Sequence, residues 1–309
     1  MERKKTRMLR VGPVPVGGGS PVSIQSMTNT FTRDAQATLA QIEGLAAAGC
    51  QIVRVAVPGQ EDAAALKRIV QASPLPVVAD IHFDYKLALS AIAAGVDGLR
   101  LNPGNIGEAW KAREVVRAAR ERSLPIRIGV NGGSLSRRLL DKYGGPTAEA
   151  LVESALEHVR LLEELEYREI KISLKASRVP VMLEAYRLMA KLRDYPLHLG
   201  VTEAGLPETG AIRSAVGIGA LLAEGIGDTI RVSLTADPVE EVLAAKEILR
   251  SLELSEGGLR LVSCPTCGRT EVDLIGLARR TRERLEKLKL VPGRPLTVAV
   301  MGCVVNGPG

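Results

Sequence analysis

Hydrophobic positions in this chain fall into short runs of five to seven residues that alternate with longer amphipathic stretches. Strands are predicted near Val22–Ser26, Gln51–Val57, Val77–Ile81, Gly98–Asn102, Ile126–Val130, Glu169–Lys175, Leu197–Thr202 and Thr229–Leu234. Between them apolar residues recur at helical spacing, as in Asp34–Ala48, Glu108–Arg122, Glu149–Leu165 and Pro238–Leu252. The last of these has Asp237 as N-cap, Pro238 at the first helical position and Glu240 at the third. Eight such units in roughly 230 residues predict an α/β fold, a (β/α)8 barrel of the TIM type over residues 1–253. A doubly wound open sheet is the alternative, but it usually needs fewer units.

A short repeat marks the helix-to-strand junctions. Ala-Ala-Gly49-Cys-Gln-Ile-Val-Arg54-Val returns as Ala-Ala-Gly95-Val-Asp-Gly-Leu-Arg100-Leu and as Glu-Gly225-Ile-Gly-Asp-Thr-Ile-Arg231-Val. Each glycine suits a left-handed helix cap. Each arginine then falls inside an apolar strand.

Strands of a parallel barrel are covered on both faces and normally read as unbroken apolar runs. Here they are interrupted with a period of two, so the polar residues share one face. The predicted strands place Arg54, then Asp80 and His82, then Arg100 and Asn102, then Arg127, Gly129 and Asn131 on that face. The later ones add Lys171, Ser173 and Lys175; His198, Gly200 and Thr202; and Arg231, Ser233 and Thr235, with Glu203 at a strand end. Cations from five strands face only Asp80 and Glu203 as obvious anions. Burying unpaired guanidinium groups costs several kcal/mol each, and a polyanionic ligand would offset that cost. The expected ligand is a compact phosphorylated or diphosphorylated metabolite at the C-terminal strand ends.

The 309 residues are 46% hydrophobic and only 3% aromatic, which suits helices on parallel strands rather than a β-sandwich or a base-stacking surface. A net charge of +6 favours an anionic partner without identifying it. Scarce aromatics argue against nucleic acid. The basic start, Met1 to Arg10, is not followed by the apolar stretch of a secretory signal, and no run reaches membrane-spanning length. A soluble, cytoplasmic protein is expected. Val16-Gly-Gly-Gly-Ser20 reads as a turn capping the barrel floor, His158 as solvent-facing and Cys50 as a small packed residue.

After Leu252 the barrel pattern stops, and residues 259–309 form a small predicted α+β module with three cysteines. Cys264 and Cys267 are two residues apart, and Cys303 follows the apolar run Leu296–Met301. In a reduced compartment such thiols hold a metal rather than a disulfide. Structural zinc wants four closed positions, usually Cys or His, and no fourth ligand is evident. An iron–sulfur cluster with one unusual site therefore fits better. A structural zinc module on a non-redox barrel lyase or transferase acting on a phosphorylated metabolite is the alternative.

Several motifs, in order, resemble one family. They are Gln25-Ser-Met-Thr-Asn-Thr30, Ala79-Asp-Ile-His-Phe83, Arg100-Leu-Asn-Pro-Gly104, Arg127-Ile-Gly-Val-Asn131, His198-Leu-Gly-Val-Thr-Glu-Ala-Gly205, Asp228-Thr-Ile-Arg-Val-Ser-Leu-Thr235, Ser263-Cys-Pro-Thr-Cys-Gly-Arg269 and Gly302-Cys-Val-Val-Asn-Gly-Pro-Gly309. They resemble the 4-hydroxy-3-methylbut-2-enyl diphosphate synthases in their two-domain bacterial form. The resemblance implies an oxidoreductase of the non-mevalonate isoprenoid pathway. Such an enzyme opens and dehydroxylates 2-C-methyl-D-erythritol 2,4-cyclodiphosphate with two electrons from flavodoxin or ferredoxin. Carried over onto this sequence, Arg54, Arg100, Asn102, Arg127, Asn131, Lys175, Arg231 and Ser233 would hold the diphosphate. Glu203 would be the acid–base group, with His198 supporting it. Cys264, Cys267 and Cys303 would hold a 4Fe–4S cluster, with Asn306 beside it. A homodimer is implied, with the cluster module of one subunit over the barrel mouth of the other. The family continues past Asn-Gly-Pro-Gly with a glutamate that is the fourth cluster ligand and a further segment. The cluster domain is therefore expected to be incomplete here, truncated at its C-terminus.

Overall fold

The structure, a computed structural model, describes residues 2–255, 258–286, 295–303 and 305. The chain divides into two compact units, Met1–Leu252 and Glu253–Gly309.

The first unit opens with an antiparallel hairpin, β1 (Leu9–Val11) and β2 (Val14–Val16). Leu9, Val11 and Val16 bury against Ile52 and Val78, near the N-terminal starts of two barrel strands, and so close the barrel floor. The Gly17–Gly19 turn, all at positive φ, leads from this hairpin towards the barrel. The floor is thus capped by the hairpin, whose three-residue strands are too short to read from periodicity.

The barrel strands are β3 (Ser23–Met27), β4 (Ile52–Ala56), β5 (Val77–Asp80), β6 (Gly98–Arg100), β7 (Ile126–Asn131), β8 (Ile170–Lys175), β9 (His198–Leu199) and β10 (Thr229–Ile230). They form one parallel sheet in the order β8-β7-β6-β5-β4-β3-β10-β9. The ring closes where Ile172 of β8 bridges Leu197, its amide donating to the Pro196 carbonyl at 2.9 Å. This is the predicted TIM-type barrel. β9 and β10 are shorter than the predicted Leu197–Thr202 and Thr229–Leu234 because their later amides bond loops instead of strands. Thr202 donates to Ala176, Thr235 to Gly205 and Leu234 to the Glu241 carboxylate.

Nine helices of the first unit are described: α1 (Ala35–Ala48), α2 (Gln60–Ala72), α3 (Tyr85–Ala94), α4 (Ala109–Arg120), α5 (Arg137–Tyr143), α6 (Ala148–Glu164), α7 (Val179–Leu192), α8 (Pro207–Ala223) and α9 (Pro238–Ser251). Caps set their ends. Asp34 accepts from the Ala37 amide and Asp237 from the Val239 amide. The repeated glycines Gly49 and Gly95 adopt φ of 100° and 91° at helix ends, the left-handed cap the repeat predicts. Tyr186 and Tyr195, with the leucines and isoleucines of strands and helices, are the largest fully buried side chains.

In the second unit β11 (Gly258–Ser263) and β12 (Pro295–Val300) pair in parallel, and α10 (Leu274–Glu286) lies between them in sequence. Among the described residues no helix is long and apolar enough to cross a membrane.

Candidate active site

Parallel register lines up the inward face. Asp80 pairs with Arg100, Arg100 with Arg127, Arg127 with Lys171, and Asn131 with Lys175. Arg54 follows from β4, and Arg231 and Ser233 come from the end of β10 and the chain after it. Asp80, Arg100, Asn102, Arg127, Lys171, Lys175 and His198 are all buried, where an α/β barrel normally packs branched aliphatic side chains.

Some of these cations have counter-ions. Asp80 lies 3.4 Å from Arg54 Nε and 3.3 Å from Arg100 Nη1, and His82 Nε2 is 3.4 Å from the same carboxylate. Burial alone would raise the Asp80 carboxyl pKa, but Arg54, Arg100 and Arg127 outweigh it and hold it below the usual carboxylate range. Arg231 is bound by Glu241 through Nε at 3.3 Å and Nη2 at 3.2 Å. Glu241 also accepts from the Ser26 hydroxyl and the Leu234 amide. This corrects the expectation that only Asp80 and Glu203 supply anions, because Glu241 enters from α9. Its signal was an acid on the buried stripe of a helix that also carries Val242, Ala245 and Leu249. The Met27 thioether also went unread. It lies 2.8 Å from Arg54 Nη2 and 3.9 Å from Arg231 Nη1, a neutral spacer between two guanidinium groups.

The other cations have no such partner. Arg127, only 3% exposed, has Nε and Nη2 without a hydrogen-bond acceptor, and Lys171 Nζ is in the same state. The Lys175 side chain is buried and, among the described residues, is in no ion pair. Burial pushes the Lys171 ammonium down to about 7 and Lys175 well below its usual value, with neighbouring guanidinium groups adding to both shifts. Among the described residues, six basic side chains therefore share two close ion-pair carboxylates, Asp80 and Glu241, and these are spent on Arg54, Arg100 and Arg231.

Two glycines make room for this layer. Arg100 Nη2 donates to the Gly129 carbonyl at 2.8 Å, and Asn102 brackets the same residue, accepting from its amide and donating to its carbonyl. A Cβ on Gly129 would lie 2.7 Å from Arg100 Nε. A Cβ on Gly200 would lie 2.6 Å from the Arg231 carbonyl oxygen and 2.7 Å from Lys175 Nζ. Gly200→Ala is therefore expected to lower stability by about 1–3 kcal/mol, as overpacking does, read by urea denaturation.

Glu203 lies beyond the end of β9, and its side chain is exposed. It sits in the loop between β9 and α8 at φ 55°, a left-handed conformation unusual for a residue other than glycine and one that clusters at functional sites. His198 is fully buried, and its Nδ1 pairs with the Thr229 hydroxyl at 2.6 Å rather than with Glu203. Burial, then Arg127 and Lys175, hold its pKa well below the ordinary histidine value, so the ring is neutral. Its Nε2 lacks a partner. His158 is half-buried rather than solvent-facing, because its Nδ1 accepts the Gly104 amide at 3.1 Å in the turn after Asn102. Asn131 lies at the end of β7, its amide donating to the Ser134 hydroxyl.

In the second unit the ends of β11 and β12 lie side by side, Ser263 in register with Val300, and the Cys264 amide donates to the Val300 carbonyl. Cys264 and Cys303 thus leave neighbouring strand ends, with Cys267 on the turn after Cys264. None of the three is in a disulfide, and Cys267 is exposed. Three thiols on adjoining loops are a donor set that suits iron–sulfur ligation. Among the described residues no three Cys, His, Asp or Glu side chains are drawn together as a ligating group. Asn306 lies outside the described residues.

Comparison with known proteins bears on this arrangement. Residues 6–246 match the GcpE TIM-barrel domain, and residues 260–309 match the GcpE protein C-terminal domain. The chain belongs to the GcpE family. A relative from Geobacter sulfurreducens is 65% identical over 99% of this chain and 86% of its own length. One from Clostridium perfringens is 58% identical over 100% of this chain and 87% of its own. Both are named 4-hydroxy-3-methylbut-2-en-1-yl diphosphate synthase (flavodoxin). Among solved structures, a dihydropteroate synthase from Stenotrophomonas maltophilia aligns with a TM-score of 0.55 at 12% identity, over 76% of this chain and 94% of its own. An N-acetylneuraminic acid synthetase from Leptospira borgpetersenii aligns at 0.56 and 13%, over 93% and 100%. At these identities the likeness is one of fold alone. The motifs that pointed to the GcpE family were thus read correctly from the sequence.

Proposed function

We propose that this GcpE-family chain converts 2-C-methyl-D-erythritol 2,4-cyclodiphosphate to 4-hydroxy-3-methylbut-2-enyl diphosphate, opening the ring and removing a hydroxyl with two electrons from flavodoxin. The observation that carries the reading is the burial of Arg127, Lys171 and Lys175 inside a barrel, with Arg127 Nε and Nη2 and Lys171 Nζ lacking any acceptor. Such cations are costly unless a polyanion completes them, and a diphosphate brings several negative charges and many acceptor oxygens. Arg54, Arg100, Arg127, Lys175 and Arg231 hold it by charge, while Asn102, Asn131 and Ser233 orient it with neutral donors. Charge moving onto the departing ring oxygen is met by donors already in place.

Glu203, accessible in the loop after β9, passes a proton to the hydroxyl, which leaves as water. Cys264, Cys267 and Cys303 would hold a 4Fe–4S cluster, with Asn306 beside it. When bound, such a cluster supplies electrons singly. Soluble flavodoxin or ferredoxin as donor, a homodimer and a cytoplasmic setting follow from the same resemblance.

The test is anaerobic turnover of the cyclodiphosphate with reduced flavodoxin, product being followed by phosphorus NMR. The expected result is the open-chain diphosphate, with Glu203→Gln lowering kcat by about 100-fold at little change in KM. A protein that binds the cyclodiphosphate but leaves it intact under these conditions contradicts the proposal, as does full turnover by Glu203→Gln.

A further inference from the structure

Lys171 is the second residue of β8, one step below Ser173 and two below Lys175 on the same face. It is in register with Arg127 of β7, and its Nζ reaches no acceptor. The charged and titratable groups around it are Arg127 from β7, Arg54 from β4, His198 from β9 and Asp228 just before β10. Asp228 is the only one of these with a negative charge, and it is engaged by the Arg3 side chain, the Thr6 hydroxyl and the Leu197 amide. Two guanidinium groups therefore confront an amine with no counter-ion of its own. Burial, reinforced by Arg127, brings its pKa to about 7, so at pH 8 it is mostly neutral.

A polyanion docked against Arg127 reverses that balance, because it screens the guanidinium and adds negative potential one residue pair away. We propose that Lys171 is a proton acceptor coupled to ligand docking, neutral beneath an empty mouth and taking one proton from solvent when the cyclic diphosphate binds above it. The inference rests on the polyanion-binding reading and deepens it. The proton comes from buffer, and no bond other than N–H is made. Affinity for the diphosphate then weakens as pH rises past neutrality, by up to about tenfold per pH unit.

The experiment is calorimetric titration of the full chain with the cyclodiphosphate, without reductant, at pH 8 in two buffers of different ionisation enthalpy. Uptake of about one proton or more per chain is expected, since Lys175 is desolvated as well, and Lys171→Met should lower it by about one while binding persists. Binding with the same enthalpy in both buffers overturns the proposal but leaves the polyanion reading standing. Absence of binding in either buffer removes both. Uptake undiminished in Lys171→Met, or in Lys171→Gln should the methionine variant not fold, places the acceptor elsewhere and overturns the assignment.

Discussion

Asp80→Asn is expected to cost about 3–5 kcal/mol and to leave the barrel close to unfolding. The carboxylate is buried at the end of β5 and is the counter-ion to both Arg54 and Arg100, at 3.4 and 3.3 Å. Asparagine keeps the shape but not the charge, so two buried guanidinium groups lose their partner together. Urea denaturation should show the loss as a lower midpoint with an unchanged slope. The same pair sets an acid limit. The Asp80 pKa is depressed on folding, so its stabilisation is fully present above the unfolded carboxylate value. It is lost as pH falls below about 4, through the still lower folded value. A variant as stable as wild type at pH 7 would contradict the role given to Asp80.

Arg127→Met should behave in the opposite way. Arg127 has no carboxylate at ion-pair distance, feels Asp80 only through its longer-range field, and has no hydrogen-bond acceptor at Nε and Nη2, so a thioether of similar length removes a desolvated charge while Asp80 keeps Arg54 and Arg100. Stability should hold or rise, as it often does when buried charge gives way to an apolar side chain. Binding of the cyclodiphosphate should fall by about 2–5 kcal/mol, roughly 30- to 4,000-fold, since the phosphate then loses the one guanidinium of the inward face that, among the described residues, no protein carboxylate pairs at close range. The contrast separates the two arginine classes in the barrel. Arg54 and Arg100 are tied to a protein carboxylate, whereas Arg127 awaits an external anion, the phosphate. A variant that loses stability but not affinity would reverse this division.

Much of this was legible in the residues. The alternation of short apolar runs with amphipathic stretches predicted eight parallel strands, and the Gly-to-Arg repeat correctly located helix caps at Gly49 and Gly95. The period-two charges predicted one inward polar face, and Arg54, Arg100, Arg127, Lys171, Lys175 and Arg231 all occupy it. What the pattern could not convey was partnership across elements. Glu241 lies on a helix, 10 positions from the arginine it neutralises, and strand periodicity says nothing about it. Met27 looks like an apolar core residue until its sulfur is found against Arg54. The left-handed turn at Glu203 was likewise not legible in the strand pattern. His158 was misread because a helical position says little about a turn that folds back onto it.

The most direct test is a crystal structure of the protein with the cyclodiphosphate bound. The account predicts phosphate oxygens within hydrogen-bonding distance of Arg127 and Lys175, with the Arg54–Asp80 and Arg231–Glu241 pairs still intact. A diphosphate bound elsewhere, with Arg127 and Lys171 still lacking acceptors inside the barrel, would contradict it.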